Sequence, residues 1–188
     1  MTARLPVGGR REVGLPISLF ARIAGRVMGT SPPAVFLTLG HNRRLFWAWL
    51  HFASRLMPRG RLARRETELV IVRGAVLADS AYELTQHLRL ARRSGVTAAE
   101  LAQVQSEPAG HAWGAEWSER DRLLLRVTDE LYADRDLSDA TWAALRAEFD
   151  PATVVEVVML VGHYQMLATT LHALRVQPDS PRGSKSGG

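Results

Sequence analysis

The sequence predicts a single all-α domain, and three observations support this fold class. Residues 61–176 are almost continuously compatible with helix, and prolines and glycines concentrate toward the two ends. No alternation of apolar and polar residues longer than a few positions indicates a strand. A chain of 188 residues, 46% of them hydrophobic, can fill one ordinary core and falls short of what two independent domains usually need.

Both ends of the chain have the composition of mobile segments. Residues 1–15 carry glycine and proline without an apolar period, and residues 178–188 are rich in glycine, serine and proline. We therefore expect a flexible N-terminal segment over 1–15, one helical domain over 16–177 and a disordered tail over 178–188.

Helix boundaries follow from turn and proline signals along the domain. Residues 31–33 (Ser-Pro-Pro) are suited to begin a helical segment. The aromatic side chains that follow are interpreted as core: Phe36, Phe46, Trp47, Trp49 and Phe52. The turn at 58–60 precedes an apolar helix over 66–78, and a second helix over 80–93 ends at Gly95, a residue suited to the left-handed conformation that closes a helix.

The later helices have recognisable N-cap residues. Thr97 with Glu100 three positions on is a capping box, in which each side chain bonds the backbone N–H of the other. Three further residues are predicted to cap helices: Ser118, Ser138 and Asp150. Because proline suits the first helical position, the last helix is predicted to begin at Pro151 and to run to about residue 176.

Neither a membrane span nor a secretory signal is predicted. The apolar run 154–161 is interrupted by Glu156 and is far shorter than the roughly 20 residues that a spanning helix needs. The N-terminus has arginines but neither an apolar stretch nor a small-residue cleavage site. We interpret the apolar run as a buried helix and expect a cytoplasmic protein.

Composition excludes several chemistries. The chain has no cysteine, so it has no disulfide, thiolate metal ligand or cysteine nucleophile of its own. Twelve arginines and one acidic residue, Glu12, fall in residues 1–65, whereas the remainder is net acidic. Arginine makes up 23 of the 24 basic residues, which is as typical of coding bias as of an anionic partner, and we do not predict nucleic-acid binding.

The segment 80–87 is the best candidate for a chemical site. At about 100° per residue, Ser80, Glu83 and His87 fall on one side of a helix, at the border of its apolar stripe. Ionisable groups at a buried face must be paired or lose their charge. One alternative is therefore purely structural, with Glu83 and His87 satisfying each other one helical turn apart. A carboxylate–histidine metal site is a second alternative, but the bundle motif needs two Glu-x-x-His copies, so we predict no metal.

A family resemblance adds to this interpretation. Residues 65–101 read RETELVIVRGAVLADSAYELTQHLRLARRSGVTAAEL and resemble the central motif of the carboxymuconolactone decarboxylase and alkylhydroperoxidase-D (AhpD) superfamily, with a motif core over 61–105. In the family's peroxidase branch, a glutamate precedes a Cys-x-x-Cys pair and a histidine follows it. Those spacings fall on Glu68, Ser80, Glu83 and His87.

The resemblance carries over the proton-relay residues but not the thiols. Glu68 and His87 match the family's glutamate and histidine, while Ser80 and Glu83 stand where the cysteines would be. A serine hydroxyl does not replace a peroxidatic thiolate. The decarboxylase branch uses no cysteine pair and often has Tyr-Glu before the histidine, as in Tyr82-Glu83.

The resemblance implies an AhpD-like helical fold, a trimer or hexamer and a small-molecule substrate. It suggests a cofactor-independent enzyme that acts on a small lactone or carbonyl acid, with His87 as acid–base residue and Glu68 orienting it. Ser80, Tyr82 and Glu83 would shape the pocket or relay protons, and Arg73 is the candidate to hold a substrate carboxylate. Two alternatives stay open: a peroxidase-branch relative that has lost its cysteines, and a non-catalytic oligomer that binds a ligand or partner.

Overall fold

A computed structural model describes residues 2–181, and all of its regular elements are helices. Within those residues, β pairing is limited to one isolated bridge between Thr30 and Pro181. Residues 182–188 of the predicted C-terminal tail lie outside the described range. The helices are α1 (Arg10–Met28), α2 (Ala34–Leu39), α3 (Arg43–Leu56), α4 (Arg64–Leu77), α5 (Ala81–Arg93), α6 (Ala98–Ser106), α7 (Glu119–Ala133), α8 (Asp139–Glu148) and α9 (Pro151–Leu174).

The described residues form two compact units. The first comprises residues 2–52 and 170–181, and the second comprises residues 53–169. The core of the first unit is aromatic: the ring of Phe46, which is fully buried, lies 6.0 Å from that of Phe20 and 6.1 Å from that of Trp49. Of the aromatic residues predicted to be core, Trp47 differs, because 43% of it is exposed.

Helix α1 begins inside the segment that the sequence analysis expected to be flexible. It starts at Arg10 and continues past Gly14, which has φ +82° and kinks the helix. Glycine adopts this conformation without steric cost. Pro16 follows the kink, near the start of the second helical stretch, where a missing N–H costs little. Gly14 and Pro16 together conceal the helical period in the sequence.

The second unit is built around α4. This helix packs against α5, α6 and α7, and every residue from Glu66 to Ala75 is buried. Its apolar side chains join a core that includes Leu69, Val72 and Leu125. Because α4 has no face open to solvent along this stretch, its charged residues must find partners inside the protein.

The predicted helix ends are confirmed where side chains cap them. Thr97 and Glu100 form both halves of the capping box, with N···O distances of 3.2 and 2.7 Å. Ser118 and Ser138 accept from the N–H groups of Asp121 and Thr141. The Asp150 carboxylate accepts from the N–H of Thr153, and Gly95 has the left-handed φ of +92°.

Helix α9 is longer than the apolar run seen in the sequence. It has 24 residues, and by length and composition alone it could cross a membrane; half of its most apolar window is buried within the protein. It supplies Val157, Leu160 and Val161 to the buried core.

Candidate active site

A carboxylate–imidazole pair lies at the contact of α4 and α5. Glu68, on α4, is completely buried, and His87, on α5, is 7% exposed. The His87 Nδ1 atom is 2.8 Å from Oε2 of Glu68. These two residues are 19 positions apart in the sequence and meet because α4 and α5 pack against each other. The structure therefore brings together the two residues that were predicted to be catalytic.

The second oxygen of Glu68 is held by Arg64. The Arg64 Nη2 atom is 2.7 Å from Oε1 of Glu68, one turn along the same helix, and the Arg64 side chain is 37% exposed. An ionised carboxylate is costly to bury unless it is paired. The partly exposed guanidinium balances the charge of Glu68. The other carboxylate oxygen can then accept a hydrogen bond from Nδ1–H of His87.

Helix α9 covers the imidazole with an aromatic ring. The Tyr164 ring packs edge to face against His87, with centroids 5.2 Å apart, and against His163 at the same distance. Burial, together with the charges of Glu68 and Glu83, raises the pKa of the Tyr164 phenol well above its ordinary value. Burial lowers the pKa of His163 to about 4, so its imidazole is neutral at physiological pH.

Ser80 and Glu83 lie at the start of α5, close to this pair. Ser80 is 1% exposed and Glu83 is 2% exposed. Burial raises the pKa of Glu83 to about 7, and the nearby Ser80 hydroxyl opposes this rise. The Glu83 carboxyl is thus protonated in a substantial fraction of molecules at neutral pH. The predicted alternative of a Glu83–His87 pair does not form, because His87 pairs with Glu68 instead.

Tyr132 from α7 approaches the same region. It lies against Gly74 of α4, where a Cβ atom would be only 2.8 Å from the tyrosine hydroxyl oxygen. Burial and the charge of Glu83 both raise the pKa of the Tyr132 phenol, which is therefore un-ionised at neutral pH. The missing side chain at Gly74 allows the phenol to pack this closely.

Two predicted residues lie apart from the Glu68–His87 pair. Tyr82 is buried. Because it precedes His87 by five positions, its side chain projects from a different side of α5. Arg73 is fully buried, and its guanidinium donates to the Asp129 carboxylate at 2.6 Å and to three backbone carbonyls. Since four of its five N–H groups are used, Arg73 stabilises the packing of α4 with α7 and the 104–108 segment. It is not placed to hold a substrate carboxylate.

A pocket of about 650 Å³ lies elsewhere in the second unit, between residues 109–113 and 122–134. None of the predicted site residues lines it. Within residues 2–181, no three His, Asp or Glu side chains converge in the manner of a metal site. The candidate active site is thus the buried polar cluster between α4, α5, α7 and α9, separate from the open pocket.

Three members of this cluster were not predicted from the sequence: Arg64, Tyr132 and Tyr164. Arg64 stands four residues before Glu68, a spacing that places the two side chains together on a helix and that was a usable signal. Tyr132 and Tyr164 come from distant helices, and no local pattern indicates their position.

Comparison with protein families gives a match over part of the chain. The carboxymuconolactone decarboxylase family model matches residues 43–125, a segment that contains Glu68, Ser80, Glu83 and His87. No curated protein sequence matches the chain.

Several solved structures share the fold. A peroxidase-related protein from Ralstonia eutropha, described as an alkylhydroperoxidase AhpD core, superposes with a TM-score of 0.79 at 21% identity, covering 94% of this chain and 92% of that one. A peroxidase-related protein from Silicibacter gives 0.76 at 17% identity, covering 95% and 94%. The debrominase Bmp8, in complex with 2,3,4-tribromopyrrole, gives 0.70 at 14% identity, covering 94% and 91%.

The sequence resemblance and the fold agree. The family match covers the helices that carry the carboxylate–imidazole pair, and the solved structures share the all-helical architecture over most of the chain. Residues 43–125 match the carboxymuconolactone decarboxylase family model, and the described residues have a fold similar to the AhpD-like solved structures, in a chain without cysteine.

Proposed function

We propose that this protein is a cofactor-independent enzyme that uses acid–base chemistry on a small lactone or carbonyl acid, in a decarboxylation or tautomerisation. The observation that carries the proposal is the buried Glu68–His87 hydrogen bond, with Arg64 on the second oxygen of Glu68. A histidine oriented by a buried carboxylate is a common general acid–base device in enzymes.

The Glu68 hydrogen bond supports different roles for the two nitrogens of His87 in this proposal. Glu68 holds Nδ1, so Nε2 is the nitrogen that exchanges a proton with the substrate. Tyr164 packs against the ring edge-to-face and restricts its rotation. In a decarboxylation, His87 delivers a proton to the carbanion that remains when carbon dioxide leaves. In a tautomerisation, it removes a proton from one carbon and returns it to another.

Dithiol-dependent peroxide reduction does not fit this chain as a self-contained activity. The sequence has no cysteine, and a serine with a carboxylate at the two positions cannot form and resolve a sulfenic acid. The structural neighbours include peroxidase-related proteins and a debrominase that binds a small brominated pyrrole. These neighbours support a small-molecule site on this fold, and the substrate class proposed here follows from the acid–base pair.

We also propose a symmetric oligomer, a trimer or hexamer, as the working form, and a cytoplasmic location. The oligomer is supported by an exposed apolar face on α9, where Val155, Met159 and Met166 are each between 45% and 62% exposed. An apolar surface of this kind is typical of an interface between protein chains.

The test is turnover of a panel of lactone acids and 2- and 3-oxo acids, without added metal or cofactor, followed by product analysis. We expect the wild-type protein to convert at least one member, and His87→Gln to lower the rate by about 10² to 10⁴ with little change in Tm. The matched control is His172→Gln, which replaces an exposed histidine outside the cluster and should retain the wild-type rate. A folded His87→Gln protein with full specific activity would contradict the proposal.

A further inference from the structure

The chain contains the helix-start pattern of a hydroxyl residue followed three positions later by glutamate at the beginning of both α5 and α6. At α6 the pattern is Thr97 and Glu100, and both reciprocal hydrogen bonds of the capping box are formed at the protein surface. At α5 the pattern is Ser80 and Glu83, and it is buried. The two sites allow a direct comparison within one molecule.

The capping box at α5 is not closed. Ser80 forms no side-chain cap hydrogen bond, and its backbone N–H donates to the carbonyl of Ala75, at 2.8 Å, instead of to Glu83. The Ser80 hydroxyl and both carboxyl oxygens of Glu83 have no partner with hydrogen-bond geometry among the described residues. The Ser80 hydroxyl lies close enough to the Glu83 carboxyl to oppose the rise of its pKa, but neither side chain caps the helix, so both have hydrogen-bonding capacity left for another group.

A third oxygen lies next to these two groups. The Tyr132 hydroxyl lies over Gly74, the residue before Ala75, whose carbonyl accepts from Ser80. This hydroxyl likewise has no hydrogen-bond partner among residues 2–181. The end of α4 thus brings the Tyr132 phenol and the Ser80–Glu83 turn into one neighbourhood.

Unpaired buried polar groups are costly, at about 1 to 3 kcal/mol each, and folded proteins retain few of them. The three groups here share one chemical property. The Ser80 and Tyr132 hydroxyls are un-ionised donors. Burial raises the pKa of Glu83 to about 7, so its carboxyl carries a proton in most molecules below that pH. All three can donate an O–H to the same acceptor, and a single oxyanion is the acceptor that would use them together.

We propose that Ser80, Glu83 and Tyr132 form an oxyanion subsite that binds the carboxylate or enolate oxygen of a small carbonyl acid. Glu83 lies one helical turn before His87, which places the bound oxygen beside the imidazole that exchanges protons with the adjacent carbon. This inference rests on the proposed function for its catalytic meaning. Oxyanion binding itself does not depend on turnover.

The charges that face Glu83 are consistent with a neutral carboxyl. The ionisable groups around it on the neighbouring helices are Arg64 and Glu68 on α4, His87 on α5, Tyr132 on α7, and Tyr164 with His163 on α9. The cation Arg64 is engaged by Glu68, so burial without a cationic partner favours the neutral form of Glu83. An oxyanion at this position therefore needs the proton on Glu83.

The test is equilibrium binding of 3,4-dinitrophenolate, an enolate surrogate that stays ionised from neutral pH upward and reports binding through its absorbance. We expect saturable binding to the wild-type protein, weakened by about tenfold or more in Ser80→Ala and in Tyr132→Phe. Thr97→Ala, which opens the closed capping box, is the matched control and should bind the probe as wild type does.

The pH dependence isolates Glu83. Above the pKa of Glu83, wild-type affinity should fall by about tenfold per pH unit, because the carboxyl loses its proton and becomes negatively charged. Glu83→Gln keeps an N–H donor without an ionisable group, so its affinity should stay constant with pH. Melting curves verify that each variant is folded.

Three outcomes would overturn the subsite: no binding to the folded wild-type protein, wild-type affinity in both Ser80→Ala and Tyr132→Phe, or the same pH profile in wild type and Glu83→Gln. The assay also separates the two proposals. Probe binding with the expected pattern, but without turnover of any carbonyl acid, would retain the subsite and reject the proposed function.

Discussion

At the scale of single residues, the energetics of the site are dominated by buried groups whose charges must be balanced or suppressed. Glu68 keeps two partners, His87 and Arg64, one on each carboxylate oxygen. Glu83 has no such partners and responds to burial through a pKa raised to about 7. Glu68 therefore stands in a paired environment and Glu83 in an unpaired, buried one that favours its protonated form.

The raised pKa of Glu83 makes folding stability depend on pH. In the unfolded chain this carboxyl ionises near pH 4.5, and in the folded chain near pH 7. Between these values the folded protein holds a proton that the unfolded chain has released, so stability falls as pH rises through this interval. Above pH 7 the full penalty is about 3 kcal/mol.

We expect Glu83→Gln to remove this penalty. The variant should be more stable than wild type by up to about 3 kcal/mol above pH 7, and close to wild type below pH 4.5. Urea denaturation at a series of pH values measures the difference, with Glu119→Gln, a side chain that is 93% exposed, as control. If the wild-type and Glu83→Gln stability curves run parallel across this range, Glu83 does not titrate as described.

Site residues could be predicted from the sequence where their spacing along one or two neighbouring helices identifies them. Residues that reach the site from distant helices could not. Glu68 and His87 were identified through matched spacing and helical position, and the structure places them in contact. Tyr132 and Tyr164 reach the site from helices that pack on it only in the folded chain. Arg73 was assigned to the pocket because it is an arginine on the helix of Glu68. Its salt bridge with Asp129, 56 residues away, is a tertiary contact that the sequence does not reveal.

At the scale of elements, most helix ends could be predicted because capping is local chemistry. The hydroxyl or carboxylate oxygen of an N-cap residue binds an N–H group two or three positions on, so the pattern and the contact lie in the same few residues. The first residues of α1, 10–15, fall in the segment that was predicted to be flexible, since the kink at Gly14 interrupts the helical period. The open capping box at Ser80 shows that tertiary packing can override a local signal.

The two capping patterns should respond differently to mutation. Thr97→Ala breaks a formed cap and should lower the free energy of unfolding by about 1 kcal/mol. Ser80→Ala removes a buried hydroxyl without a cap hydrogen bond, so it should cost less or should stabilise the protein. Chemical denaturation of both variants at one pH measures this difference. An equal loss in the two variants would show that Ser80 caps α5 in solution.

At the scale of the whole molecule, α9 has an exposed apolar face. Val155, Met159, Gly162, Met166 and Thr169 are exposed and are spaced alternately by four and three residues. This is the spacing with which two helices pack along a common seam. Because the opposite face of α9 is buried, the exposed face is the surface through which we propose that copies of the chain associate.

A charge placed in this face should separate the copies. Met159→Glu introduces an ionised group into an apolar contact and should shift the protein toward a species of 20.8 kDa at micromolar concentration. Ala99→Glu, on the exposed side of α6, is the control and should leave the assembly unchanged. Light scattering coupled to size-exclusion chromatography gives the masses. A wild-type protein that is monomeric at this concentration would contradict the oligomer.

We propose that His87, oriented by Glu68, moves protons to and from carbon without a thiol. The most direct measurement of this transfer is the incorporation of deuterium at the carbon next to the carbonyl group of small oxo acids in D₂O, followed by ¹H NMR. This exchange reports proton transfer even when no carbon dioxide is released. We predict exchange catalysed by wild type, reduced by about 10² or more in His87→Gln and to a lesser extent in Glu68→Gln. Exchange at the wild-type rate in folded His87→Gln would contradict the claim.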